Sequence, residues 1–308
     1  MSTVYDCAIV GGGVAGLQAA IQMGRYGRST LVVDKGDGRS TVCRLYRNIL
    51  GWPDGISGQE LRRLGREQAE RTGVRFVQDG IAEAGSGEGL FWLKGQEDVY
   101  QAKTVLLATG IVDRYPPLPG LEPCLGKTVY VCPDCDGYEI QNRRTVIMGS
   151  GDSGAQMALI LSERTDKLLY VNHEGKDVAG EVSQQLSVKG ITVLIEPIER
   201  VVQEEDGSTF HGVVLANGRL VEAERGFIAF GGNEVRSALA GQLGAERHEN
   251  GHIMTDSRSK MTSVPNVWAA GDIGVHAEQV TIAMGEGSQA AIWMHKALRQ
   301  MDQSAYAP

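Results

Sequence analysis

Two thiols separated by two residues can do redox chemistry, and Val131-Cys132-Pro133-Asp134-Cys135-Asp136-Gly137 offers such a pair. The loop is short enough for one thiol to resolve a disulfide made by the other, so the pair can cycle between dithiol and disulfide. Zinc is the competing reading. A structural zinc site usually takes four ligands, commonly two Cys-x-x-Cys pairs or one pair with two histidines. The remaining cysteines, Cys7, Cys43 and Cys124, are scattered, and the six histidines show no ligand spacing. Redox is therefore the stronger reading. Asp136, beside the second thiol, is placed to give and take the proton of the dithiol. A helix N-cap is the bland alternative for an aspartate there, and both roles are compatible. Asp134, between the thiols, disfavours a nearby thiolate and should raise its pKa.

Chemistry of this kind needs a scaffold, and two glycine turns mark it. Gly11-x-Gly13-x-x-Gly16 follows the apolar run Tyr5-Asp6-Cys7-Ala8-Ile9-Val10, typical of a buried parallel strand. A helix is expected over Leu17 to Tyr26, and a second strand over Ser29 to Val33. Gly11 permits a tight turn, Gly13 a close approach of backbone to pyrophosphate, and Gly16 close packing of helix on strand. The helix N-terminus supplies N–H donors to the phosphates. Asp34, 23 residues after Gly11, ends the second strand, where an acid can accept from ribose hydroxyls.

A second such unit begins 138 residues later. Arg144–Met148 reads as a strand, Gly149-Ser150-Gly151-Asp152-Ser153-Gly154 as the turn, Ala155–Arg164 as the helix, and Lys167–Val171 as the next strand. The expected fold class is α/β, with two doubly wound dinucleotide-binding domains, the second inserted into the first. Boundaries fall at the proline-rich stretch Tyr115–Gly120, which follows the strand Thr104–Ala108, and at Gly231–Glu234, which follows Gly226–Phe230. Residues 1–114 and 234–308 thus make the first domain, and residues 115–233 the insert that carries the thiol pair.

Composition narrows the classes. A chain of 308 residues suits two domains. The net charge of −8 and the lack of a basic stripe disfavour nucleic acid and anionic membrane surfaces. No apolar run reaches the roughly 18 residues of a spanning helix. Met1–Asp6 shows neither the charged nor the apolar region of a leader, so the cytoplasm is the default. Five cysteines, two of them closely spaced, do not suggest a structural disulfide framework. The polar last ten residues are expected to fray.

Near the end, Val267-Trp268-Ala269-Ala270-Gly271-Asp272-Ile273 is a strand closing on Gly-Asp. With the first glycine turn it looks like the second FAD motif of flavoproteins with two dinucleotide-binding domains, whose Asp bonds the ribityl chain. A helix beginning near Gln279-Val280 would aim its positive N-terminus at the pyrimidine end of the flavin. The order of motifs then reads GxGxxG, Asn48-Ile49-Leu50-Gly51-Trp52-Pro53, Ala108-Thr109-Gly110, Cys132-x-x-Cys135-Asp136-Gly137, a second GxGxxG, and Gly271-Asp272. Over nearly the whole chain this resembles the low-molecular-weight thioredoxin reductase family. The resemblance implies FAD held at Gly11, Gly13, Ala15, Gly16, Asp34, Asn48, Ile81, Thr109, Gly110, Gly271, Asp272, Gln279 and Val280. It implies a second nucleotide site at Gly149, Gly151, Asp152, Ser153 and Gly154. It also implies a homodimer and a thioredoxin-like protein, or a small disulfide or dithiol, as partner. Cys135 would exchange electrons with the flavin, Cys132 would attack the substrate disulfide, and Asp136 would be the general acid/base. The insert would rotate, since one pair cannot face flavin and substrate together.

The sequence departs from that family in places that matter. The family follows its second inserted strand with His-Arg-Arg, whose arginines grip the 2′-phosphate of NADPH. Here the stretch is Val171-Asn172-His173-Glu174-Gly175-Lys176-Asp177, with both arginines gone and an acid among the replacements. A carboxylate repels a phosphate, and His173 with Lys176 is a poor substitute for arginine forks. NADPH is therefore doubtful. NADH with Glu174 or Asn172 at the ribose, a second FAD, or no nucleotide at all are the remaining readings, the last with ferredoxin or another donor. Gly154 replaces the family's small Ala. Glu278 replaces an Arg, making the flavin edge less positive. The Pro-Asp between the thiols also differs from the family's small apolar pair. The expected activity is an FAD-dependent disulfide oxidoreductase with a donor other than NADPH. A dithiol oxidase using oxygen and a non-catalytic redox-sensing flavoprotein are the alternatives.

Overall fold

A computed structural model describes residues 3–305 apart from Asp206, Ser208 and His276. The chain opens with β1 (Val4–Val10), α1 (Val14–Arg25) and β2 (Thr30–Asp34). After α2 (Gly58–Glu70) come β3 (Arg75–Gln78), β4 (Glu83–Gly87), β5 (Leu90–Lys94), β6 (Val99–Leu107) and β7 (Ile111–Val112). The second unit holds β8 (Val129–Tyr130), α3 (Pro133–Asp136), β9 (Thr145–Gly149), α4 (Gly151–Leu161), β10 (Leu168–Asn172), α5 (Gly180–Val188) and β11 (Thr192–Leu194). It continues through β12 (Ile198–Gln203), β13 (Phe210–Leu215), β14 (Leu220–Glu222) and β15 (Arg225–Ala229). The chain then returns to the first unit with β16 (Glu234–Val235), α6 (Ala238–Gln242), β17 (Val267–Ala269) and α7 (Val280–Ala305).

The first unit is a seven-stranded sheet in the order β3-β2-β1-β6-β5-β4, with β17 also pairing β6. β1 lies parallel between β2 and β6, so that Ile9 sits beside both Val32 and Leu106. A strand paired on both edges and covered on both faces must be apolar at nearly every position, which is why Cys7–Val10 shows no polar alternation. Leu31, Val33 and Leu107 fill one face, and Ile9, Met23, Trp268 and Met294 the other. The second unit repeats the plan with a parallel sheet in the order β11-β10-β9-β15-β8, beside an antiparallel β12-β13-β14 sheet. Both are doubly wound α/β sheets. Strand order reverses beside the first strand of each, which opens a crevice at the carboxyl ends of the strands.

Local differences from expectation have physical causes. α1 starts at Val14 and α4 at Gly151, earlier than the expected Leu17 and Ala155. Glycine discourages helix in isolation, yet here close strand contact demands it inside the first turn. The chain divides into two compact units: the first runs to Thr41, over Gly58–Val112 and from Glu234 onward, and the second comprises Val42–Ser57 and Asp113–Asn233. Residues 42–57, expected with the first domain, thus group with the second. The left-handed turn at Gly126 lies against the backbone of Val42, Cys43 and Arg44. Arg47 also pairs with Glu139 at 3.6 Å. α7 carries helix to Ala305, through most of the polar tail expected to fray, and residues 306–308 lie outside the described residues. Among the described residues no helix is long and apolar enough to cross a membrane.

Candidate active site

In the first unit the turn between β1 and α1 is built for a diphosphate. A Cβ at Gly11 would lie 2.4 Å from the Ala108 carbonyl oxygen, and one at Gly16 would lie 1.9 Å from that of Gly11, so neither position admits a side chain. A Cβ at Gly13 would meet nothing within 4 Å, which leaves the turn open on the approach side. Gly13 is the N-cap of α1, and among the described residues no side chain caps that end. Its first N–H groups are thus available to phosphate oxygens. Asp34 ends β2 as expected. Its Oδ1 accepts from the Gly12 N–H at 3.0 Å, and its Oδ2 pairs with Arg62 at 2.6 Å. Each carboxylate oxygen has a second lone pair, so ribose hydroxyls can still donate to it. A cavity of ≈ 320 Å³ opens there, lined in part by Gly12, Asp34, Arg62, Phe76 and Gln78. These features fit the adenosine and diphosphate of FAD.

The second FAD motif comes to the same place from the far end of the chain. A Cβ at Gly271 would lie 2.9 Å from that of Ala15, and one at Gly287 would lie 2.2 Å from the Ala15 carbonyl oxygen. The Gly271 N–H donates to buried Glu286 at 3.0 Å, and Lys260 pairs with the other oxygen of Glu286 at 2.7 Å. This buried pair fixes the Gly-Asp turn. Arg39 donates to Asp272 at 3.1 Å and to Glu278 at 2.7 Å. One arginine thus serves two carboxylates, so Arg39 offsets part of the negative charge that Glu278 brings to this edge. Val280 opens α7, and Gln279 accepts from the Thr281 hydroxyl at 2.8 Å. Thr109 and Gly110 tie to Arg236, the residue after β16, through its carbonyl and N–H at 2.7 and 3.1 Å. Ile81 packs half-buried against the first sheet's core. Asn48 is exposed and belongs to the second unit.

Cys132 and Cys135 form a disulfide in the second unit, with Cα atoms 5.3 Å apart. Cys132 is the N-cap of α3, its Sγ accepting the Cys135 N–H at 3.1 Å, and Pro133 takes the first helical position, where its missing donor costs nothing. Asp136 ends α3 and takes the N-cap position of the 3-10 turn Gly137–Ile140, but its side chain makes no cap hydrogen bond there, which leaves the carboxyl free of that role. Burial pushes the Asp136 carboxyl up to about 7, with Arg47 opposing and Glu139 adding to the rise. A carboxyl at that value exchanges protons near neutrality. Asp134 points to solvent. Burial pushes the Cys43 thiol up to about 11, and the Cys7 and Cys124 thiols also rise by burial, so these three stay protonated and unreactive.

The second glycine turn repeats the backbone but not the opening. A Cβ at Gly149 would lie 2.5 Å from the Ala229 carbonyl oxygen, the counterpart of Gly11 against Ala108. Gly154 has its own cause. A Cβ there would lie 2.3 Å from the buried ring of Tyr170, whose hydroxyl donates to the Gly151 carbonyl at 2.8 Å. Asn172 stands where Asp34 stands in the first unit. Its Oδ1 accepts from the Gly151 N–H at 3.1 Å and its Nδ2 donates to the Lys176 carbonyl at 2.7 Å. The chain then folds back, and Ala179 N–H donates to Asp152 at 2.7 Å. Glu174 pairs with Lys176 at 2.9 Å and with Arg114. The Lys176 ammonium and the Arg114 guanidinium beside it hold its carboxyl down to about 2.

Two doubly wound units, one fitted for FAD and the other bearing a disulfide beside a near-neutral carboxyl, define an FAD-dependent thiol-disulfide oxidoreductase. The chain belongs to the pyridine nucleotide-disulphide oxidoreductase family, whose model matches residues 5–287. It is 30% identical to the thioredoxin reductase of Peptoclostridium litorale, over 98% of this chain and 99% of that one. The thioredoxin reductase of Treponema pallidum is 29% identical over 94% of this chain and 96% of that one. The crystal structure of HlmI superposes with a TM-score of 0.88 at 28% identity, covering 99% of this chain and 96% of that one. An oxidoreductase from Agrobacterium tumefaciens does so at 0.79 and 26%, covering 96% and 99%. These likenesses place the chain among the low-molecular-weight thioredoxin reductase-like flavoenzymes.

Sequence reasoning missed the cations that serve these sites: Arg39, Arg62, Arg114 and Lys260. Arg39 lies 233 residues from Asp272 and Arg114 60 from Glu174, so no local spacing could link them. It also missed Gly12, where a Cβ would lie 2.8 Å from the Asp34 carboxylate.

Proposed function

We propose that this enzyme passes electron pairs between FAD and a substrate disulfide or dithiol through Cys132 and Cys135, and that NADPH is not its donor. The exclusion of NADPH rests on Glu174, already ion-paired where the family places an arginine for the 2′-phosphate. Bound FAD would supply a two-electron carrier, held by the Gly11–Gly16 turn, Asp34, Asp272 and the start of α7. Cys135 is assigned to electron exchange and Cys132 to the substrate. In the reducing direction Cys132 Sγ attacks one substrate sulfur, forming a mixed disulfide and releasing one thiolate. Cys135 Sγ then attacks Cys132 Sγ, releases the second thiolate and re-forms the Cys132–Cys135 disulfide. Asp136, half protonated near neutrality, delivers a proton to a departing thiolate and recovers it in the reverse direction. The partner is a thioredoxin-like protein or a small disulfide, and the family resemblance adds a homodimer.

The loop Lys176–Asp177, which leans on the second glycine turn, supports one further reading. Without a hydride donor, electrons can enter as a substrate dithiol and leave to oxygen, the net products being a disulfide and hydrogen peroxide. Anaerobic stopped-flow absorbance separates these schemes. The FAD-loaded protein is mixed with NADPH, NADH or a dithiol, and the visible flavin band is followed. We expect bleaching by the dithiol and none within seconds by NADPH. Rapid bleaching by NADPH would overturn the proposal. Oxygen uptake with the dithiol in air supports the oxidase direction, and its absence removes it. Cys135→Ser should leave a yellow protein without disulfide turnover.

A further inference from the structure

The cations needed to hold a phosphate are present in the second unit, but they do not lie where sequence places them. The Arg114 guanidinium donates through Nη1 to the carbonyls of Phe230 at 3.0 Å and Gly231 at 3.4 Å, just beyond β15, and through Nη2 to Glu174, just beyond β10. β15 and β10 flank β9 on its two sides. The guanidinium therefore connects the ends of the two strands that border β9, at the crevice where a doubly wound sheet takes its dinucleotide. Lys176 pairs with the other oxygen of Glu174 at 2.9 Å. The loop that carries both residues leans on the glycine turn, since a Cβ at Gly151 would lie 3.2 Å from that of Lys176 and 3.1 Å from the Asp177 carbonyl oxygen.

We propose that this is a latent phosphate site whose ligand is the chain's own carboxylate: Glu174 takes the place of a nucleoside 2′-phosphate between Arg114 and Lys176, and is the residue that excludes 2′-phosphorylated nucleotides. A carboxylate and a phosphate both accept from arginine forks and ammonium groups, so one can stand in for the other. While Glu174 is in place, an incoming 2′-phosphate meets a negative charge and finds both cations already engaged. Asn172 strengthens the arrangement by fixing the Lys176 carbonyl and the Gly151 N–H with one side chain.

The latent site rests on the reading that NADPH is not the donor, and goes beyond it by predicting a gain of binding. The test is calorimetric titration of the FAD-loaded protein with 2′,5′-ADP and, separately, with 5′-AMP. Wild-type protein should show no preference for 2′,5′-ADP. Glu174→Gln, which keeps the size and removes the charge, should bind 2′,5′-ADP at least about tenfold more tightly than wild type, the effect of one new charge-assisted hydrogen bond, with 5′-AMP unchanged. Adding Arg114→Ala to that variant should abolish the gain. A flavin-loaded Glu174→Gln protein with no gain overturns the proposal, as does a wild-type protein that already prefers 2′,5′-ADP tenfold. If Glu174→Gln does not retain FAD, Glu174→Ser is titrated against the same criterion, and the wild-type measurement stands in either case. The two readings fail separately. Flavin bleaching by NADPH in wild type sinks the donor assignment, whereas an absent gain in the variant sinks only the latent site.

Discussion

In the first unit the residue that closes β2, Asp34, turns one oxygen to the Gly12 N–H and the other to Arg62. In the second, Asn172 has the same spacing from its turn but spends its amide on the Gly151 N–H and the Lys176 carbonyl. The backbone motifs match. The loops that follow do not. After β2 the chain moves away and leaves the ≈ 320 Å³ cavity beside Asp34. After β10 it folds back over the turn and engages Asp152 and Arg114. A glycine fingerprint therefore specifies how helix meets strand, while the loop after the second strand is free to differ between the two units.

The largest effects should come from the glycines themselves. Gly16→Ala drives a Cβ to 1.9 Å from a backbone oxygen, which cannot rotate away, so we expect a loss of about 3 kcal/mol or more in denaturant unfolding. Gly154→Ala meets the Tyr170 ring instead. Its cost should fall when Tyr170→Leu is added, with a coupling of about 1 kcal/mol or more in a double-mutant cycle. Strict additivity of Gly154→Ala and Tyr170→Leu would show that the two turns are obstructed in the same way.

Next in size is cofactor retention. Asp34→Ala removes the ribose acceptor and strands Arg62, and should weaken FAD binding by about 30-fold, measured by flavin release on dilution. Glu174→Ala should change it by less than about twofold. Release of FAD by Glu174→Ala would mean that the second turn, not the first, helps hold the flavin.

A smaller effect distinguishes the second turn by pH. The Glu174 carboxyl is held down to about 2 in the folded chain, against 4.5 for an ordinary glutamate. The unfolded chain thus binds more protons between these values, and stability rises with pH through that window. The contribution is complete above about pH 5 and is lost as pH falls toward 2. Solvent around Arg114 and Lys176 screens it, so about 1 kcal/mol is expected in place of the full linkage value. Glu174→Gln should flatten that part of the acid unfolding curve. An unchanged curve would mean that the pairing contributes nothing to the fold.

Much of the scaffold could be read directly from sequence because its signals are local. Tyr5–Val10, the two glycine turns, Asp34, Gly271-Asp272 and Cys132-Pro133-Asp134-Cys135 each carry their meaning within a few residues. What could not be read depends on partners brought together by topology. Residues 42–57 look like part of the first domain in sequence, yet group with the second beside Gly126 and Glu139. Gly154 reads as a small deviation until Tyr170, sixteen residues on, is seen to fill the space. The loss of the family's arginines was visible, but the arrival of Arg114 from another strand end was not.

Arg39 gives the finest test, because it is the first unit's counterpart to Arg114. Each arginine serves carboxylates at the edge of a nucleotide crevice, but Arg39 bridges Asp272 and Glu278 without a loop folding over the turn. Its pairs are half-buried, where a single ion pair contributes modestly. Arg39→Gln leaves two carboxylates facing each other near the flavin site and should weaken FAD binding by about three- to fivefold. Adding Glu278→Gln removes the repulsion and should bring affinity back to within about twofold of wild type. High salt should shrink the defect of the single variant, since screening weakens repulsion between partly exposed charges. If Glu278→Gln fails to rescue Arg39→Gln, then Arg39 does not act by compensating Glu278, and the open crevice keeps its arginine for some contact with FAD itself.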